Sequence, residues 1–133
     1  MQPTIALAMG DPAARVTSHI PLADVAPRIT RERVLRGLAL TDQSMRKAGF
    51  DRPRIAVAGL NPHAGDGGNF GREEIDVIAP GVEQARSGGV TADGPFPADT
   101  VFLRAKGGAL AAVLTMYHDQ GQIAMKLMGF DRG

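Results

Sequence analysis

Apolar residues fall in short blocks, and their spacing alternates between two kinds. Residues 4–9 (TIALAM), 54–59 (RIAVAG) and 111–117 (AAVLTMY) are continuous apolar runs bounded by turn residues. Runs of this kind mark strands buried on both faces. Residues 30–48 and 72–86 instead repeat their apolar positions at helical spacing. Val34, Leu35, Leu38, Met45 and Ala48 form one stripe, and Ile75, Ile78, Val82 and Ala85 form the other. Thr30 suits the N-cap of the first helix, and Gly49 suits the position just past its end. Glu73, Glu74 and Asp76 favour the positive end of the second helix, which Pro80-Gly81 should kink or break. Shorter strands are expected over residues 15–18 (RVTS) and 90–93. A glycine-rich loop fills residues 60–71, and a second loop covers 93–99. Asp99 would cap a short helix or turn reaching residue 104, and Asp119 would cap a last helix over 121–128, ended by Gly129. Strands that alternate with helices predict a parallel α/β architecture.

One spacing breaks this pattern. Only Ala13 and Ala14 separate the turn Gly10-Asp11-Pro12 from the strand at 15–18. A parallel crossover needs about a dozen residues or more. Strands 4–9 and 15–18 therefore cannot be parallel neighbours in an ordinary unit. The chain divides at this spacing into residues 1–13 and an α/β domain, residues 14–133.

Composition narrows the function. The 133 residues carry a formal net charge of +1, with basic and acidic residues interspersed. No basic patch marks a nucleic-acid partner, and five Phe, one Tyr and no Trp give little for bases to stack on. No apolar run approaches the roughly 18 residues of a membrane span, and no secretory leader is evident, so a cytoplasmic setting is expected. The absence of cysteine removes disulfides and thiolate metal sites. The 17 glycines and 9 prolines gather in discrete loops between apolar runs, which points to working loops and not to disorder.

The three histidines are the most informative residues. His19, His63 and His118 each follow an expected strand. The carboxyl edge of an open α/β sheet is where ligands bind. Three imidazoles meeting there could hold Zn²⁺ or another transition metal with positions left open. The plainer reading of each is a surface or hydrogen-bonded histidine. The loop NPHAGDGG could bring backbone N–H groups to an anion, though it is neither GxGxxG nor a Walker loop; its plainer reading is a flexible connection. Asp99 and Asp119 are either helix caps or groups that orient an imidazole. Lys126 is either a solvated lysine or a cation aimed at a phosphate or carboxylate.

These blocks carry a family resemblance. MGDPA, SHIPLADV, GLNPHAGDGG, GPFPADTVF and MYHDQGQIAMKLMGFDRG together resemble the 4-hydroxythreonine-4-phosphate dehydrogenase family of pyridoxal phosphate biosynthesis over nearly the whole chain. The last block is closer to a paralogous branch acting on four-carbon sugar-acid phosphates, such as erythronate or threonate phosphate, and on cis-dihydrodiol carboxylates. The resemblance implies an α/β/α sheet like that of isocitrate and isopropylmalate dehydrogenases, incomplete here. It implies oxidation of a secondary alcohol by NAD or NADP, with decarboxylation of the resulting β-keto acid, on a phosphorylated or carboxylate substrate. It implies a divalent metal (Zn, Mg, Co or Mn) on His19, His63 and His118, at a homodimer interface with His118 donated by the second subunit. Lys126 would contact substrate, and Asp99 and Asp119 would serve catalysis beside the metal. No cofactor-binding residue is assigned.

Family members are much longer. The first-domain region expected after MGDPA is missing, as are segments expected after Gly133, which leaves an internal deletion, a fragment or a partial record of a longer protein. Two other readings stay open: a non-catalytic metal-binding or assembly module, and a phosphate-binding module built on HAGDGG. Missing strands would bare apolar edges, so the chain is expected to associate. Light scattering checks this; a monodisperse monomer would contradict it.

Overall fold

The computed structural model describes residues 15–106 and 110–127. The strand expected over 4–9, the unit at 1–13 and the glycine at 129 lie outside the described residues. In chain order come a 3-10 turn Leu22–Asp24, α1 (Val25–Arg28), α2 (Arg31–Lys47), β1 (Arg54–Ala58), a turn segment Pro62–Gly68, a π-helical turn Glu74–Ile78 and α3 (Ala79–Ser87). Then follow β2 (Thr91–Phe96), α4 (Ala98–Lys106), β3 (Ala112–Leu114) and α5 (His118–Leu127).

The strands form a parallel sheet in the order β2-β1-β3. Side chains alternate across it, as strand geometry requires. Ile55, Val57, Ala112 and Leu114 pack with Val34, Leu38 and Met45 of α2 and Val82 of α3. Ala56, Ala58 and Val113 face the other way, onto Val101, Phe102 and Ala105 of α4 and Met125 of α5. The expected α/β/α layering is thus present, and both faces of the sheet are covered.

Helix α2 forms as expected. The Thr30 hydroxyl accepts the Arg33 N–H at 3.1 Å, and Val34, Leu38 and Met45 are fully buried. Ala48 lies exposed beyond its end.

Several expectations need correction. Residues 15–18 make a single bridge, Arg15 to Thr115, and no strand. Both the amide and the hydroxyl of Thr17 bond to the Met116 carbonyl, at 3.1 and 2.7 Å, and the chain then turns away into Leu22–Asp24. Burial there pushes the Arg15 guanidinium below its ordinary pKa. The helix expected over 72–86 is in two parts. Proline has no N–H and its ring would strike the carbonyl four residues back. The turn before Pro80 widens to π geometry, and Pro80 stands in the first turn of α3 without breaking the run. Ile75 points outward at 42% exposure and leaves the stripe.

Strand β2 continues through Gly94 and Pro95 to Phe96, where a loop was expected. On an edge strand the missing proline N–H interrupts no ladder bond. Asp99 does not cap α4: it sits within the first turn, and the Pro97 carbonyl receives the Thr100 and Val101 amides. Helix α5 starts at His118, so Asp119 also lies within a first turn.

Gly94 has φ +132°, and a Cβ there would lie 2.6 Å from the Val57 carbonyl oxygen. Gly94→Ala should lower stability by about 1–3 kcal/mol, read by urea unfolding.

Candidate functional site

The carboxyl ends of β1 and β3 define the site, and a side chain from α5 ties them together. Gln120 accepts the Met116 amide through Oε1 and donates from Nε2 to the Gly59 carbonyl, both at 2.7 Å. Neighbouring parallel strands diverge past their last ladder bond, and this amide bridges the gap. It also fixes where the first turn of α5 lies against the loop after β1.

That loop has an unusual backbone. His63, Ala64, Gly65, Asp66 and Gly67 all occupy the left-handed region, with φ from 46° to 87°. Three of them are not glycine. Such a residue costs roughly 1–2 kcal/mol in this conformation. The run persists because a buried anion organises the loop. Glu74, 3% exposed, accepts the Leu60 and Asn61 amides on Oε2 at 2.7 Å each, and the Asn61 side-chain amide on Oε1 at 3.0 Å. Asn61 also donates to Glu73 Oε1 at 2.7 Å. The chain closes around this carboxylate so tightly that a Cβ on Gly65 would fall 2.7 Å from Glu74 Oε1.

Glu74 stands in the first turn of its helical segment, as expected, but it is buried and takes its bonds from the loop after β1. The chain's own carboxylate thus occupies the Leu60 and Asn61 amides. The side chain within HAGDGG that carries charge is Asp66, which accepts from Asn69 at 3.0 Å and would repel a phosphate.

The histidines divide into a pair and a single residue. The His19 and His118 rings stand 5.2 Å apart, centroid to centroid. His118 Nδ1 lies 2.8 Å from Asp119 Oδ1. With that nitrogen as donor to the carboxylate, Nε2 keeps its lone pair free to ligate. His63 rests against Phe70, with centroids 6.0 Å apart. Among the described residues, no three His, Cys, Asp or Glu side chains of one chain gather as a metal-ion group.

His63 and Asp99 instead share the wall of an open cavity of about 430 Å³ with Asn61, Tyr117 and Gln120. Lys126 is exposed near the end of α5. A pair of imidazoles with one buttressing carboxylate suits a divalent cation chemically, but is an incomplete ligand set. Glu74, Asn61 and Gln120 are the organising residues that the periodicity did not reveal. Asn61 and Gln120 lie inside the two most distinctive motifs, NPHAG and YHDQG.

Comparison with known proteins places this geometry. A family model described as pyridoxal phosphate biosynthetic protein PdxA matches residues 9–133. A 4-hydroxythreonine-4-phosphate dehydrogenase of Desulforapulum autotrophicum is 48% identical over 135 residues, covering 98% of this chain and 40% of that protein. The crystal structure of a 4-hydroxythreonine-4-phosphate dehydrogenase from Klebsiella pneumoniae superposes with a TM-score of 0.85 at 46% identity, over 87% of this chain and 36% of the other. A terephthalate 1,2-cis-dihydrodiol dehydrogenase from Burkholderia xenovorans superposes at 0.79 and 34% identity, covering 85% and 36%. The chain thus spans 36–40% of the length of these relatives. No helix among the described residues is long and apolar enough to cross a membrane.

Gln120→Leu should cost about 1–3 kcal/mol in chemical denaturation, because it leaves the Met116 amide and Gly59 carbonyl without their partner.

Proposed function

Given that the chain belongs to the PdxA family, we propose that it is the metal-holding part of a dehydrogenase that oxidises the secondary alcohol of a phosphorylated hydroxy acid with NAD or NADP. The observation that carries this reading is the cavity wall that bears His63 and Asp99 together with Tyr117 and Gln120, which flank His118 in sequence. No three ligands gather within one chain among the described residues, so the set is completed across a homodimer: His19 and His63 of one subunit with His118 of the other. A divalent cation bound there would polarise the substrate hydroxyl, and the nicotinamide would accept hydride.

The chain's own residues do the rest. Asp119 holds the His118 ring with Nε2 available. Asp99, on the cavity wall, accepts the hydroxyl proton as hydride leaves. Lys126 meets the anionic end of the substrate. A second reading, oxidation of a cis-dihydrodiol carboxylate, has the support of the likeness to the Burkholderia xenovorans enzyme. A substrate series with and without the phosphate group separates the two.

The shared site has a specific test. His63→Ala and His118→Ala should each abolish tight Zn²⁺ uptake in calorimetry. Mixed in equal amounts and allowed to exchange subunits, they should recover about one quarter of the wild-type sites, since each mixed dimer keeps one intact site. No recovery, with exchange demonstrated, would place the ligands within a single chain.

A further inference from the structure

Glu74 lies outside the cavity wall, yet the loop that carries His63 closes on its carboxylate. The residues on both sides of His63 are anchored to the one carboxylate. Upstream, Leu60 and Asn61 donate three hydrogen bonds to it. Downstream, the backbone at Gly65 passes so close to Oε1 that no side chain would fit. Between the upstream anchor and His63, Pro62 fixes its own φ. His63 itself holds φ 54°, a conformation a free histidine avoids.

A residue held in the left-handed region persists only where its surroundings over-determine it. Here the over-determining group is a buried anion inside the loop's own curve. A neutral side chain of the same shape would not reproduce it: the amide of glutamine would set an N–H₂ against at least one of the converging N–H donors.

We propose that Glu74 is a positioning residue for His63: its carboxylate fixes the left-handed turn that presents the imidazole to the cavity. The assignment rests on His63 being functional, as argued above, but the turn itself is testable without any metal. Glu74→Gln and Asn61→Ala would be compared with wild type by amide hydrogen exchange and by ¹⁵N signals of the His63 ring.

In Glu74→Gln the Leu60 and Asn61 amides should exchange at least tenfold faster, and the His63 ring signals should shift, while the amides of α2 keep their protection. Asn61→Ala, which spares the two backbone donors, should give a smaller change of the same kind. It remains informative should Glu74→Gln fail to fold. Zn²⁺ affinity should fall in the same order, wild type above Asn61→Ala above Glu74→Gln.

Unchanged His63 signals in a folded Glu74→Gln variant would overturn the assignment. So would a loss of protection spread evenly over α2 and the sheet, which would make Glu74 a general stability residue. If the wild-type chain takes up no Zn²⁺, the metal reading fails, and the exchange and ring signals still decide the role of Glu74.

Discussion

A carboxylate sealed inside a protein is tolerable only where hydrogen bonds replace its water, and Glu74 meets that condition with amides taken from one loop. The constraint works in both directions. The loop cannot relax to an ordinary right-handed course without stripping the anion of its donors. The anion, in turn, cannot leave without freeing a strained backbone. The π-helical turn that carries Glu74 opens α3, whose apolar side packs on the sheet and α2. The geometry of the cavity wall is in this way tied to the hydrophobic core.

Much of the fold was legible in the sequence. The continuous apolar runs at 54–59 and 111–117 read as buried strands and contain β1 and the shorter β3, and α2 carried its cap and its stripe openly. What was not legible depended on partners distant in sequence. Nothing in the spacing of Glu74 distinguishes a dipole-facing carboxylate from a buried one, because the amides that solvate it lie 13 and 14 residues away. Pro80 predicted a break, but a break is only one way to accommodate a missing N–H; a widened turn is another. The edge strand β2 hid behind Gly94 and Pro95, which read as a loop until the neighbouring strand is known.

The candidate site shows the same division. The pattern placed His63 and His118 after β1 and β3, whereas His19 follows a single bridge and not a strand. That two of them pair while the third stands against Phe70 required the backbone. Asp99 and Asp119 were read as caps or as chemistry, and their places in first turns remove the first option. Asn61 and Gln120 lie inside distinctive motifs, but an amide side chain signals nothing until its donors and acceptors are known.

The carboxylate inside this loop bears on how the fold diversifies. A P-loop commits its backbone to one ligand, since the phosphate completes the turn. Here a carboxylate of the chain itself completes the turn, so its shape does not depend on a bound anion. Preference for a phosphate or a ring carboxylate can then shift through side chains elsewhere on the rim, with the histidine-bearing turn left untouched. Relatives of this one fold bear the names of both a phosphorylated amino acid and an aromatic dihydrodiol, as a scaffold with its recognition and its architecture kept separate would allow.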